Sequence, residues 1–160
     1  MRVRGIVRSR KTIGDDLSKW TDRDLPPRNA PIYPRSKPMR AGWKWRSSKV
    51  RGHDDTAFIL LAEANSRRDN WKAILIVQTD GGHSVVARFE HHGSHPGLHI
   101  HADCNRAGIE LGAGGLDGLA RIPKAGGTHR RANAWTESSF WEASKRFFHV
   151  EEEAGPLFSQ

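Results

Sequence analysis

Hydrophobic and polar residues alternate on both sides of a short turn near the middle of the chain. Residues 93–96 form this turn, because Gly supplies unusual backbone angles and Pro fixes its own φ. The alternation predicts a β-hairpin in which Glu90 pairs with His99 and Arg88 pairs with His101. A five-residue loop would instead mix polar and apolar side chains on each face, which a half-buried sheet resists. In the favoured register one face carries the apolar residues Ala87, Phe89, Leu98 and Ile100.

Two more apolar stretches precede this hairpin and are joined by short polar connections. Residues 57–64 are almost continuously apolar, and residues 71–78 repeat the pattern. The turn signal at residues 79–82 leads into the first hairpin strand, at residues 84–92. Parallel neighbours need crossovers of a dozen or more residues, so short loops imply antiparallel pairing. The sequence therefore predicts an antiparallel β-meander of at least four strands.

Apolar residues near the C-terminus recur at helical spacing. Phe140, Ala143 and Phe147 predict an amphipathic helix from about residue 137 to 149, with Thr136 as its N-cap. We expect this helix to pack on the face that carries Phe89, which leaves the opposite face for solvent or substrate. The predicted fold class is α+β, in a single domain.

The N-terminal third has a different character. Residues 1–11 are predicted to be an edge strand or a loose arm, and residues 15–20 a short helix. Five prolines between residues 25 and 38 predict extended or irregular structure. We therefore divide the chain into a basic, Pro-rich N-terminal region, residues 1–50, and an α+β body, residues 51–160. The body contains the four-stranded sheet, a Gly-rich loop at residues 105–131 and the helix.

Charge is distributed unevenly between these regions. Residues 1–50 carry 14 Lys and Arg against 4 Asp and Glu, whereas the remainder carries 12 against 14. Grouped cations of this kind favour a polyanionic partner, because they displace the counterions condensed on phosphates. We expect nucleic acid, RNA rather than DNA, and no membrane partner. The single cysteine excludes an internal disulfide, and no apolar segment at the start suggests secretion, so we expect a cytoplasmic protein.

Aromatic residues alternate with cations at residues 43–46. Aromatic rings stack on bases while neighbouring cations neutralise phosphates, although burial of the tryptophans in the core is the more common outcome. A second basic segment ends the Gly-rich loop. The predicted nucleic-acid-binding residues are Arg40, Trp43, Lys44, Trp45, Arg46, Lys49, Lys124, His129, Arg130 and Arg131.

The polar face of the hairpin supports three hypotheses about chemistry. In the first, the protein is a metal-independent ribonuclease that needs no cofactor. Such an enzyme requires a base, an acid and a cation for the charge that develops on the phosphate. Glu90 supplies the base, His99 or His101 the acid, and Arg88 the cation.

The second and third hypotheses remain open beside it. In the second, the protein is a zinc-binding hydrolase or metal-site protein, because His99 and His101 project the same way from a strand. Further ligands would come from His92 or Cys104, and Glu90 and Asp103 have suitable side chains as well. In the third, the histidines form only a polar surface on a non-catalytic nucleic-acid-binding or inhibitor protein.

Overall fold

The fold is α+β and is built on one seven-stranded sheet. It is seen in a computed structural model that describes residues 3–14, 16–92, 98–101 (backbone only) and 134–153. The strands lie in the order β6-β5-β4-β3-β2-β1-β7. The strands are β1 Lys11–Ile13, β2 Lys44–Gly52, β3 Ala57–Asn65, β4 Asn70–Thr79, β5 Gly82–His92, β6 Leu98–His101 and β7 Val150–Glu152. The helices are α1 Val3–Arg8 and α2 Glu137–Phe147, with a 3₁₀ turn at Ser66–Arg68.

Strands β2 to β6 form an antiparallel meander, which confirms the predicted β-meander and adds strands to it. The hairpin register is also confirmed, since Glu90 pairs with His99 and Arg88 pairs with His101. Among the described strands, only β1 and β7 pair in parallel. Strand β2 crosses the division that the sequence suggests at residue 50, so part of the N-terminal region belongs to the same sheet as the body.

A β-bulge in β5 determines which residues face which side of the sheet. Leu75 pairs with Ala87, but the next residue, Ile76, pairs with Val85, so Val86 is the extra residue. Side chains alternate between faces along a regular strand, so residues an odd number apart lie on opposite faces. The extra residue of the bulge shifts this alternation by one position. The bulge therefore keeps Val85 and Arg88 on the same face as Ile76, although their spacing along the chain is odd.

The first face of the sheet is covered by the two helices. Phe89 stacks on Phe140 and on Phe147, with ring centroids 5.8 Å and 4.8 Å apart. Thr136, the N-cap that the sequence predicts, accepts a hydrogen bond from the backbone N–H of Ser139. The helix ends at Phe147, two residues before the predicted end. The chain reverses there, because His149 takes a left-handed φ of 53° and leads directly into β7.

Residues 3–8 form helix α1, and not the edge strand or loose arm that the sequence suggested for the first eleven residues. Val3, Ile6 and Val7 of α1 are buried in the core beneath the sheet. Lys11 is fully buried, and its ammonium donates to the carbonyl oxygens of Ile6, Val7, Ser9 and Phe148. It therefore binds the C-terminal ends of both helices, where a cation is favourable. Burial lowers the pKa of Lys11 to about 8, although the charge of Asp54 opposes that shift.

The second face of the sheet is only partly open, in contrast to the sequence-based expectation. Leu25 and Ala30 of the Pro-rich segment are fully buried against Leu61, Ile74 and Ile76. Strands β3 and β4 are apolar on both sides, so both faces need a cover to exclude water. The Pro-rich segment supplies the second cover, and it is fixed by bridges between Thr21 and Trp45 and between Leu25 and Lys37.

Asp16 joins three parts of the chain through its carboxylate. It accepts hydrogen bonds from Ser18, from Ser48 of β2 and from the indole of Trp141 in α2, and it pairs with Arg46 at 2.8 Å. No helix forms over residues 16–20, where one was predicted. Burial raises the pKa of Asp16, but these hydrogen bonds and the Arg46 charge outweigh it, so the pKa lies below its ordinary value.

We expect Asp16→Asn to lower the free energy of unfolding at pH 7 by roughly 1–3 kcal/mol, because a charge-assisted network is lost. The folded pKa is depressed, so the contribution is complete above the unfolded value of 3.8 and disappears as pH falls through the folded value. The difference in the free energy of unfolding between wild type and variant should therefore become smaller in acid. Urea denaturation at pH 7 and below pH 4 measures this, with exposed Asp24→Asn as control. Equal losses for both variants would contradict the assignment.

Candidate functional site

Charged side chains form a row across three neighbouring strands on the second face. Glu63 of β3 pairs with Lys72 of β4, and Lys72 pairs in turn with Glu90 of β5. Both carboxylates are buried, at 2% and 5% exposure. Carboxylates are rarely buried unless they are paired, so the surrounding cations must compensate for the lost hydration. We call Glu63, Lys72 and Glu90 the charged row.

Glu90 has a cation and an imidazole beside it. Arg88 Nη1 lies 3.3 Å from Glu90 Oε1, and His92 Nε2 lies 3.1 Å from Glu90 Oε2. Side chains two residues apart on a strand project to the same face, which explains this grouping. We call Arg88, Glu90 and His92 the Glu90 group. The sequence-based expectation that Glu90 faces solvent is wrong, because it is among the buried residues. A substitution at Glu90 therefore affects stability as well as any chemistry.

The backbone of β6 brings the other predicted catalytic residues to the same strand pair. His99 lies opposite Glu90 and His101 lies opposite Arg88 in the Cα register. Directly opposed residues of an antiparallel pair are neighbours on one face of the sheet. The register therefore groups all four predicted catalytic residues, namely Arg88, Glu90, His99 and His101, at one edge of the sheet.

His91, next to Glu90 in the sequence, makes its side-chain contact with a different part of the chain. His91 Nε2 lies 2.9 Å from Asp69 Oδ2, and the same carboxylate accepts a hydrogen bond from the indole of Trp71. Asp69 follows the 3₁₀ turn with a φ of 45°, a left-handed conformation that Asp tolerates better than most residues. His91 therefore binds the β3–β4 connection, and it does not belong to the Glu90 group.

Glu63, at the other end of the charged row, is bound by two lysines. Lys37 Nζ lies 2.7 Å from Glu63 Oε2 and Lys72 Nζ lies 3.5 Å from the same oxygen. Burial lowers the pKa of Lys37, but the hydrogen bond and charge of Glu63 outweigh it and raise the pKa above its ordinary value. The Lys37 ammonium also lies 4.9 Å from the centre of the Tyr33 ring. Lys37 therefore anchors the Pro-rich segment on the sheet.

The structure separates the predicted nucleic-acid-binding residues by role. Trp45 is buried, and its indole donates to the carbonyl of Arg23. Arg46 pairs with Asp16 and lies over the ring of Trp141, 4.4 Å from its centre. Lys44 pairs with Glu137 at 2.7 Å, and Glu137 raises the pKa of Lys44. The contacts of Trp45 and Arg46 thus support the fold, and nucleic-acid binding by these two residues stays a prediction.

The other predicted nucleic-acid-binding residues either line one of two cavities or lie outside the described residues. Arg40, exposed, and Trp43, half-buried, line a cavity of about 340 Å³ together with Glu63 and Lys72. Lys49 lines a larger cavity of about 800 Å³ with Arg28 and His83, at the opposite end of the sheet. Lys124, His129, Arg130 and Arg131 lie outside the described residues, as does Cys104.

The smaller cavity is the better candidate for a binding site, although it has less volume. The larger one is lined by the exposed acidic residues Asp55 and Glu153 and by the cations Arg28, Lys49 and Arg51. No residue of the charged row lines it. The smaller one has a buried carboxylate in its wall and adjoins the Glu90 group through Lys72. Binding sites combine an apolar lining with a few convergent polar groups, and the smaller cavity has both.

Three charged residues of the second face were not among the predicted site residues. Glu63 and Lys72 are charged residues inside otherwise apolar strands, and Lys37 lies in a segment that looked irregular. A charge within a strand that is apolar on both sides marks a buried ionic pair. That signal was available in the sequence, but the pairing itself depends on the register between β3 and β4.

Metal binding and membrane insertion find no support in the part of the chain that the structure describes. Within residues 3–14, 16–92 and 134–153, His, Cys, Asp and Glu nowhere come together in a group of three that suits a metal ion. The zinc hypothesis, with His99, His101, His92 and Cys104, depends largely on side chains outside this range. None of the described helices has the length and apolar character to cross a bilayer.

Comparisons of this chain with protein-family models, with curated proteins and with solved structures found no match.

We expect Lys37→Met to destabilise the protein by about 1–3 kcal/mol, because the buried Glu63 carboxylate loses its nearest donor. Glu63→Gln in the same chain should recover part of that loss, since a neutral amide needs no cation. Denaturant unfolding of the two single variants and the double variant measures the coupling. Lys19→Met, an exposed lysine, is the control. Strictly additive losses would show that the pair does not couple.

Proposed function

We propose that the protein acts on nucleic acid, and that the second face of the sheet is a metal-independent ribonuclease-like site. The observation that carries this proposal is the meeting of Arg88, Glu90 and His92 side chains in one group, opposite His99 and His101 in the register. A carboxylate, imidazoles and a guanidinium are the groups that cleavage by the 2′-hydroxyl requires.

Each residue has a defined role in this proposal. Glu90 accepts the proton of the attacking 2′-hydroxyl, and His99 or His101 donates a proton to the leaving 5′-oxygen. Arg88 binds the phosphate as negative charge develops on it, because its planar guanidinium can make two parallel contacts. His92, at 3.1 Å from Glu90, holds the carboxylate in position. No cofactor is required.

The basic residues around the site supply affinity for the substrate. Arg40, Lys37 and Lys72 lie on the same face, at the cavity next to the Glu90 group. Cations on one face attract a polyanion and release its condensed counterions, so binding should weaken steeply with salt. RNA is the expected substrate, because the proposed reaction uses the 2′-hydroxyl that DNA lacks.

Glu90 is 5% exposed, and this observation favours a second candidate function. A carboxylate paired with Arg88 can serve the fold alone, in which case the same cationic face binds nucleic acid without cutting it. The two functions share the surface and differ only in chemistry. Cleavage assays therefore separate them.

The test is cleavage of a short RNA by purified protein in a chelator. We expect activity that depends on pH in a bell shape, and a loss of roughly 10²–10⁴-fold in His99→Ala and in Glu90→Gln. The same RNA with 2′-deoxy sugars should not be cut. His53→Ala, at an exposed histidine in the β2–β3 turn, should retain full activity.

Because Glu90 is buried, circular dichroism and thermal unfolding must show that Glu90→Gln remains folded before its rate is interpreted. Activity that vanishes in chelator and returns with zinc would replace this mechanism by the metal hypothesis. Binding without cleavage, or full activity in the His99, His101 and Glu90 variants, would contradict the catalytic proposal and leave the binder.

A further inference from the structure

The smaller cavity combines apolar walls with positively charged side chains. Its volume is about 340 Å³, and it is formed where the Pro-rich segment meets strands β3 and β4. Trp43 and Met39 supply apolar walls, while Lys37, Lys72 and Arg40 supply positive charge. Three cations against the one carboxylate of Glu63 make the cavity attractive to an anion that also has an apolar part.

The wall bearing Arg40 and Trp43 is held in place by a tight turn. The backbone N–H of Trp43 donates to the carbonyl of Arg40, and Gly42 between them has a φ of 81°. A Cβ at Gly42 would lie 3.2 Å from the side chain of Asn65, so both the angle and the space favour glycine. The ring of Trp43 is therefore presented at the cavity on a fixed turn.

One oxygen of Glu63 is not satisfied. Oε2 binds both lysines, whereas Oε1 is buried and has no hydrogen-bond partner in the described part of the chain. An unpaired buried acceptor costs about 1–3 kcal/mol, and more when it is charged. Glu63 lines the cavity, so a rotation of its carboxylate would bring this oxygen to the N–H group of a bound ligand and remove the penalty.

We propose that this cavity binds a nucleobase that has a lactam edge, as in guanine or uracil, with its phosphate on Arg40. The ring N–H of a lactam would donate to Glu63 Oε1, and the adjacent carbonyl oxygen would accept from the lysine ammoniums. The base plane would stack on Trp43. In adenine and cytosine the exocyclic group is an amine, a donor, which would meet the ammonium donors of Lys37 and Lys72.

The inference deepens the proposed function and rests on it for its biological meaning. Lys72 lies between Glu63 and Glu90 in the register, so the base pocket and the proposed catalytic group are two strands apart, about 10 Å. That spacing suits a nucleotide and its neighbouring phosphodiester. The cavity would then select the base next to the bond that is cut.

Calorimetric titration of the full chain with GMP, UMP, AMP and CMP tests the pocket without requiring cleavage. We expect GMP or UMP to bind at least tenfold more tightly than AMP and CMP, and inorganic phosphate to compete only weakly. A preference for GMP over UMP or the reverse identifies which lactam base fits. Equal binding of all four nucleotides, or no binding of any, overturns the proposal.

Three variants localise the binding. Trp43→Ala should weaken the preferred nucleotide by roughly 5- to 150-fold, the range for loss of one base stack. Glu63→Gln should abolish the preference for a lactam base, because an amide can present either a donor or an acceptor. Arg40→Ala should weaken all four nucleotides, whereas Arg35→Ala, an exposed cation of the same segment, should change nothing.

Unchanged binding and base preference in folded Trp43→Ala and Glu63→Gln would overturn the pocket. Because Glu63 is buried, Trp43→Ala and Arg40→Ala keep the test decisive if Glu63→Gln fails to fold. The two proposals fail separately. Base-selective binding in a chain that does not cleave RNA defeats the nuclease alone, and cleavage without base selectivity defeats the pocket alone.

Discussion

The fold of the second face depends on burying two carboxylates in the middle of a sheet. Glu63 and Glu90 are almost fully enclosed. Lys37 of the Pro-rich segment binds Glu63, and Arg88, two residues away on the same strand, pairs with Glu90. Removing one partner of such a group leaves a charge without water or counter-charge, which is strongly destabilising. A purely structural core would have been simpler with apolar residues at these positions.

The Pro-rich segment connects the buried carboxylate of Glu63 with the apolar cluster of the second face. Leu25 and Lys37 bridge to each other, so the burial of one and the ion pair of the other are made by the same loop. The segment covers the apolar half of the face and stops where the charged row begins, which leaves the small cavity at the junction. Asp16, which precedes this segment in the chain, binds β2 and α2. A region that looks like a linker in sequence therefore shapes the candidate site.

Local patterns predicted some of this structure and could not predict the rest. The hairpin register followed from alternation and turn chemistry, since a slip of one residue would mix polar and apolar side chains on each face. Helix α1 was missed because Val3, Ile6 and Val7 gain their burial from distant strands, and Lys11 is satisfied by carbonyls from both helices. The exposure of Glu90 was misjudged because a single strand pair says nothing about what covers it.

The predicted nucleic-acid-binding residues show the same limit of local sequence patterns. Alternating tryptophan and cation at residues 43–46 indicated two faces of a strand, but which face meets solvent depended on Asp16 and Trp141, far away in sequence. Trp43 precedes the strand and lines the smaller cavity, so nucleic-acid binding by this residue stays a prediction. Glu63 and Lys72 were visible as charges in apolar strands, yet their significance appeared only when the register set them side by side.

Photo-crosslinking of a 4-thiouridine-labelled RNA, followed by peptide mapping, tests most directly whether the charged half of the second face is the nucleic-acid surface. Crosslinked peptides should contain Trp43 or Met39 at the cavity and residues 88–92 at the Glu90 group, and high salt should abolish them. Crosslinks confined to the surface of α2, or the same yield in Trp43→Ala and wild type, would contradict it.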